Sequence, residues 1–216
     1  MALKAVFFDV GETLVNEEGY WGRVARLLGV PRHVVLAALG ATIANGEAHR
    51  ALFDYLGCER PDAVDDVVYG RRELYPDALA CLAHLKADGY LVGIAGNQTT
   101  ALERWARNEG LPVDVIGSSA SWGVEKPAPA FFERIVSEAR CEPGEVAYVG
   151  DRVDNDVVPA ADAGLVAVHL RRGPWGYMQR GAERATFRIA SLSELPEALR
   201  EAPAPSANGN RPEPSA

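Results

Sequence analysis

Short apolar runs without polar interruption recur along the chain, at residues 5–8, 91–95, 113–116, 146–149 and 165–168. Runs of that length predict strands buried on both faces. Between most of them the period of the apolar positions changes. Leu79, Leu82 and Leu85 precede the second run, Leu102, Trp105 and Ala106 follow it, and Phe131, Phe132, Ile135 and Val136 precede the fourth. Spacings of three and four place such residues on one face of a helix. Strands alternating with helices predict an α/β fold, a parallel sheet with helices on both faces.

The stretch between the first two runs is far longer than a single crossover needs, so something is inserted there. Trp21, Val24, Ala25 and Leu28 keep helical spacing, as do Leu36, Leu39 and Ile43, and then Ala48, Leu52, Tyr55 and Leu56. "GVP" and "NGE" separate these groups as breaks. Residues 16–73 therefore read as a small all-helical domain carried by a core made of residues 1–15 and 74–200. The last segment, 201–216, is rich in Pro, Ala and Ser with nothing large to bury, and disorder is expected.

Composition narrows the partners. A formal charge of −8 over 216 residues argues against nucleic acid and anionic membranes, which call for clustered Lys and Arg. Cys58, Cys81 and Cys141 are odd in number and far apart, so neither a disulfide framework nor a zinc site is suggested. No apolar run is long enough to span a bilayer, and the chain starts directly into a strand. The expectation is a soluble cytoplasmic protein, monomer or homodimer, acting on small molecules.

In an open parallel sheet the loops at the carboxyl ends of the strands converge on one crevice. The first strand delivers Asp9, the second "AGN" at 95–97, the third a loop containing Lys126, and the fourth "GDRVDND" with Asp151, Asp154 and Asp156. Three or four carboxylates would then face one lysine. Such a cluster repels itself and calls for protonation or a cation. Magnesium, held by one or two carboxylates, water and substrate phosphate, matches that supply of ligands. A carboxylate that ligates through one oxygen can attack with the other.

These residues carry a resemblance. "FDVGETL", "IAGN", "EKPAP" and "GDRVDND", in that order across residues 4–190, resemble the four motifs of the haloacid dehalogenase superfamily. The resemblance implies a Rossmann-like core with a mobile helical cap, and magnesium-dependent hydrolysis of small phosphorylated substrates. Asp9 would be the nucleophile and a metal ligand, and the Gly11 carbonyl and Asp151 would bind magnesium with Asp156 supporting. Lys126 would offset charge, and residues 16–73 would be the cap.

Two positions depart from the pattern. Phosphatases of this family usually carry a second aspartate two residues after the nucleophile as acid and base, and here Gly11 stands there. A Ser or Thr usually holds a phosphoryl oxygen before the Asn, and here it is Gly96, leaving Asn97 and backbone amides for that role. Positioned acid–base catalysis contributes roughly two to four orders of magnitude. Activated phosphates should therefore be turned over better than sugar phosphates, unless Glu12, Glu17 or Glu18 substitutes. The alternative is a catalytically impaired, phosphate-binding or regulatory module. The "GD" pair speaks against the metal-free dehalogenases of the superfamily. With lysine only at Lys4, Lys86 and Lys126, the predicted cap has no Schiff-base amine of the kind phosphonoacetaldehyde hydrolases use.

Other residues read more plainly. His33, His49, His84 and His169 lack metal spacing and are surface or packed residues, and Trp21 and Trp105 belong to the core. Arg171 and Arg172 sit in a solvated loop. Trp122 and Trp175 are candidates for lining the pocket, and Arg23, Arg26 and Arg50 for contacting an anion.

Overall fold

A computed structural model describes residues 2–61, 63 and 70–201. Six parallel strands, β1 (Ala5–Phe8), β2 (Leu91–Gly96), β3 (Val115–Ser118), β4 (Val146–Gly150), β5 (Val166–Leu170) and β6 (Phe187–Ile189), form one sheet in the order β3-β2-β1-β4-β5-β6. β1 lies between β2 and β4 with all four residues buried, as an apolar run pairing on both sides requires.

The helices, in chain order, are α1 (Glu18–Leu28), α2 (Arg32–Ala44), α3 (Leu52–Tyr55), α4 (Ala78–Ala87), α5 (Ala101–Asn108), α6 (Ser119–Trp122), α7 (Pro129–Ala139), α8 (Val158–Asp162), α9 (Gly173–Met178) and α10 (Leu195–Arg200). Leu82, Leu85, Leu102 and Leu195 pack on one face of the sheet. Phe131, Phe132 and Ile135 of α7 cover the other, against Phe7 and Tyr148. A third cluster belongs to the insertion: Trp21, Val24, Val35, Leu39, Ile43 and Leu52, closed by Trp175 of α9. The chain enters and leaves the insertion side by side, joined by an isolated antiparallel bridge between Val15 and Leu74 and by Asn16 N donating to Glu73 O at 2.7 Å.

Several strand ends shift by one or two residues from expectation, and one strand is added. The third strand begins at Val115 rather than 113, because Asp114 meets the sheet edge through its side chain, accepting from Val92 N at 2.9 Å. β6 was not foreseen; three residues, Phe187, Arg188 and Ile189, are too few to show a period. The tail beyond Glu201 and residues 62 and 64–69 of the insertion lie outside the described residues. Among the described residues no single helix is long and apolar enough to cross a membrane.

Candidate active site

Strand order reverses between β1 and β4, and the crevice outside the carboxyl ends of these two strands is where an open α/β sheet binds its ligands. Asp9 leaves the end of β1 with its amide tied to Val149 O at 2.8 Å, and Asp151 leaves the end of β4. Asp156 reaches back to the same point from the wide helical turn Val153–Val157, where its carboxylate accepts from Arg152 N at 3.0 Å. Gly150 makes this possible, since a Cβ there would lie 2.3 Å from Asp156 Oδ2.

Lys126 joins the cluster from the loop before α7. Its Nζ donates to Asp9 Oδ1 and to Asp156 Oδ1, each at 2.6 Å, and the side chain is 2 % exposed. Burial alone would lower its pKa, but the charges of Asp156 and Asp9 outweigh that and hold it well above the usual lysine value. Asn97 spends its amide on bracing this loop, accepting from Lys126 N at 2.7 Å and donating to Lys126 O at 2.9 Å. The neighbouring Gly96 is a packing requirement: a Cβ there would stand 2.7 Å from Asp9 Oδ1.

One lysine does not balance the carboxylates. Ligand oxygens of Asp9, Asp151 and Asp156 lie within 4.8 Å of one another. Burial and then the charges of Asp156, Asp9, Glu12 and Glu17 push Asp151 well above the carboxylate range. Burial raises Asp156 to about 6, Lys126 opposing and Asp9 adding to the shift. Asp151 Oδ2 is buried without a hydrogen-bond partner. A buried, unpaired carboxylate oxygen beside two more carboxylates is the donor set of a hard divalent cation, so these residues fit magnesium. Asp154, expected as a possible fourth member, turns outward and accepts two hydrogen bonds from the Arg152 guanidinium, at 2.7 and 3.1 Å.

Of the three nearby glutamates, the fold separates the roles. Glu12 is buried, accepts from the Tyr75 hydroxyl, and caps the start of α1 by accepting from Glu17 N at 3.1 Å. Glu18 is exposed and pairs with Arg32 at 2.6 Å. Glu12 still borders the site's cavity, but Glu17 is the one whose carboxyl comes to Gly11. Its Oε1 lies 2.5 Å from the position a Cβ on Gly11 would take, so its carboxyl fills the space that a side chain at residue 11 would need. Burial and the charges of Glu12 and Asp9 push its pKa up to about 8.

Asp9, Gly11, Glu17, Asn97, Lys126 and Asp151 open onto a cavity of about 730 Å³. Its other walls include Tyr20, Trp21, His49, Arg50 and Arg60 of the insertion, and Arg152 and Trp175 of the core. Trp21, read as core, both packs in the insertion and lines the cavity. Trp175 lines it as expected, but Trp122 does not: its ring covers Gly117, where a Cβ would come within 2.0 Å, and stacks 5.3 Å from Phe131. Arg26 lies in a separate cleft beside Arg32 and Arg72. Arg152 could have been suspected from its place inside "GDRVDND". His49 follows a turn and carries no signal of its own.

Comparison with known proteins gives the following. A family model described as a haloacid dehalogenase-like hydrolase matches residues 3–164. A glyceraldehyde 3-phosphate phosphatase of Methanopyrus kandleri is 27% identical, covering 92% of this chain and 98% of that protein. A ribulose-1,5-bisphosphate 5-phosphatase of Halopiger xanaduensis is 30% identical over 63% of each chain. Among solved structures, a HAD-type hydrolase of Bacillus subtilis bound to magnesium superposes with a TM-score of 0.69 at 18% identity, over 92% of this chain and 99% of that one. An L-2-haloacid dehalogenase of Xanthobacter autotrophicus with chloropropionic acid covalently bound superposes with a TM-score of 0.65 at 21% identity, over 92% and 99%. At those identities the structural likeness concerns the fold.

Proposed function

Because the chain belongs to the haloacid dehalogenase-like hydrolases, we propose that it is a magnesium-dependent phosphatase of small phosphorylated metabolites, acting through an aspartyl-phosphate on Asp9. The observation that carries this reading is the cluster itself: Asp9, hydrogen-bonded to a buried lysine and within 4.8 Å of two further carboxylates, opening onto a cavity. The relatives named for glyceraldehyde 3-phosphate and ribulose-1,5-bisphosphate support a small phosphorylated substrate.

Lys126 holds Asp9 Oδ1, so attack on phosphorus falls to Oδ2, and the ester oxygen leaves with the bonding pair. Asp9, Asp151, Asp156 and the Gly11 carbonyl would hold the cation, which when bound neutralises charge on the carboxylates and the phosphoryl oxygens. Asn97 acts at one remove by fixing the Lys126 loop, and backbone amides at the end of β2 are left to meet phosphoryl oxygen. Residues 16–73 serve as the cap, and Glu17, at the head of its first helix, supplies the acid that Gly11 lacks. With its pKa raised to about 8, Glu17 is protonated at neutral pH and can give its proton to the leaving oxygen. As the carboxylate it then accepts a proton from the water that attacks the phosphoenzyme and releases phosphate.

The test is stopped-flow release of nitrophenol from p-nitrophenyl phosphate, with magnesium or with a chelator, for the native protein and Asp9→Asn. Release that needs magnesium and disappears in Asp9→Asn is the expected result. Absence of release from native protein that still binds magnesium would overturn the reading in favour of a ligand-binding module without turnover.

A further inference from the structure

We infer that the cavity accepts a phosphorylated substrate bearing a second anionic group, carboxylate or phosphate, held away from Asp9 by Arg50, Arg60 and Arg152. The inference rests on the phosphatase reading and extends it to substrate class. The floor of the cavity is matched to a phosphoryl group by Lys126 and the carboxylate cluster. Its walls also carry three arginines. Arg50 and Arg60 come from the insertion and Arg152 from the loop after β4, so two parts of the chain bring three guanidinium groups to one cavity.

Their proximity registers on His49, which lines the same wall. Burial, then the charges of Arg152, Arg50 and Arg60, drive its pKa down to about 4, so at neutral pH it adds no charge of its own. Arg152 is partly answered by Asp154, and its guanidinium lies 5.0 Å from the centre of the Trp175 ring, which fixes it in place. Arg50 is exposed and forms no ion pair among the described residues. Glu125, also on the lining, is exposed. Guanidinium groups bind carboxylate and phosphate oxygens in pairs, so an anion at this wall would be held by more than one of them. The volume falls within the usual range of small-molecule sites and leaves room for a carbon skeleton between the two anionic ends.

Calorimetric titration of Asp9→Asn in magnesium tests this with three probes: glycerol 3-phosphate, 3-phosphoglycerate and glycerol 1,3-bisphosphate. The two probes with a second anion should bind at least about tenfold tighter than glycerol 3-phosphate. Introducing Arg50→Gln should remove most of that advantage, and the carboxylate and phosphate arms decide which second anion is preferred. Equal affinities, no binding of any probe, or a preference untouched by both Arg50→Gln and Arg60→Gln would overturn the inference. Binding to Asp9→Asn is read without turnover, so the result stands apart from the hydrolysis assay. A protein that hydrolyses p-nitrophenyl phosphate but shows no preference would sink this inference alone.

Discussion

Residue 11 and residue 17 share one volume. Glu17 Oε1 occupies the place of a Cβ on Gly11, so Gly11→Asp in the native background forces two carboxylates together and should lower activity, not raise it. Combined with Glu17→Ala, which clears the space, Gly11→Asp should restore phosphoenzyme breakdown. Glu17→Gln alone should leave the burst of nitrophenol and slow its later turnover by about two to four orders of magnitude. Rapid-quench measurement of the phosphoenzyme checks both, and breakdown of the intermediate at the native rate in Glu17→Gln would remove Glu17 from the chemistry. Here the sequence was half legible. The missing acid is plain from "DVGE", and the candidates Glu12, Glu17 and Glu18 follow from being near. Which one reaches Gly11 depends on a backbone detail, the positive φ of 51° at Glu12. That turn goes with Glu12 bonding to Tyr75 and Glu17 N, and leaves Glu17 to face Asp9.

Between elements, the joint that carries the insertion depends on a residue whose sequence surroundings suggest a solvated loop. Arg172 donates to Thr13 O at 3.0 Å, pairs with Asp77 at 2.5 Å, and lies 4.1 Å from the Tyr75 ring centre. Asp77 in turn accepts from Leu192 N at 3.0 Å and Ser191 Oγ at 2.8 Å, so one carboxylate links α4, the turn before α10 and the loop after β5. Arg172→Met keeps the length and removes the charge. Hydrogen bonds to charged groups contribute about 1.5–3 kcal/mol each, so the loss should be about 2–3 kcal/mol, read as a lower urea midpoint at unchanged slope. An unchanged midpoint would mean that the linkers hold together without it. The apolar runs and the helical spacings were readable because each reports a single element's own buried face. The joint was not, because it is made by polar groups far apart in the chain. Trp175 shows the same limit: nothing in its local pattern says that it completes the core of the insertion.

For the molecule as a whole, the carboxylate cluster sets how stability answers to pH and metal. In the metal-free protein Glu17 is raised to about 8, Asp156 to about 6 and Asp151 well above its ordinary value. The unfolded chain gives up these protons near pH 4, while the folded protein keeps them longer. It therefore binds more protons across that interval, and stability falls as pH rises from about 4 toward 8. His49 acts at the other end. Its pKa is lowered to about 4 from 6.5, so the unfolded chain takes up that proton first and stability falls as pH drops from 6.5 toward 4. Magnesium replaces protons at the cluster, so it should bind more tightly at pH 8 than at pH 5. At a hundredfold excess over its dissociation constant it would add about 2.7 kcal/mol. Thermal unfolding with chelator should show Tm declining from pH 6 to 8, and magnesium should reverse most of that decline while changing little at pH 5. In Asp151→Asn both the decline and the metal response should shrink, because the unpartnered Oδ2 that contributes to both is gone. A Tm equally insensitive to magnesium at both pH values would mean that Lys126 and retained protons already balance the cluster, and the three carboxylates would then be a charge network without a cation.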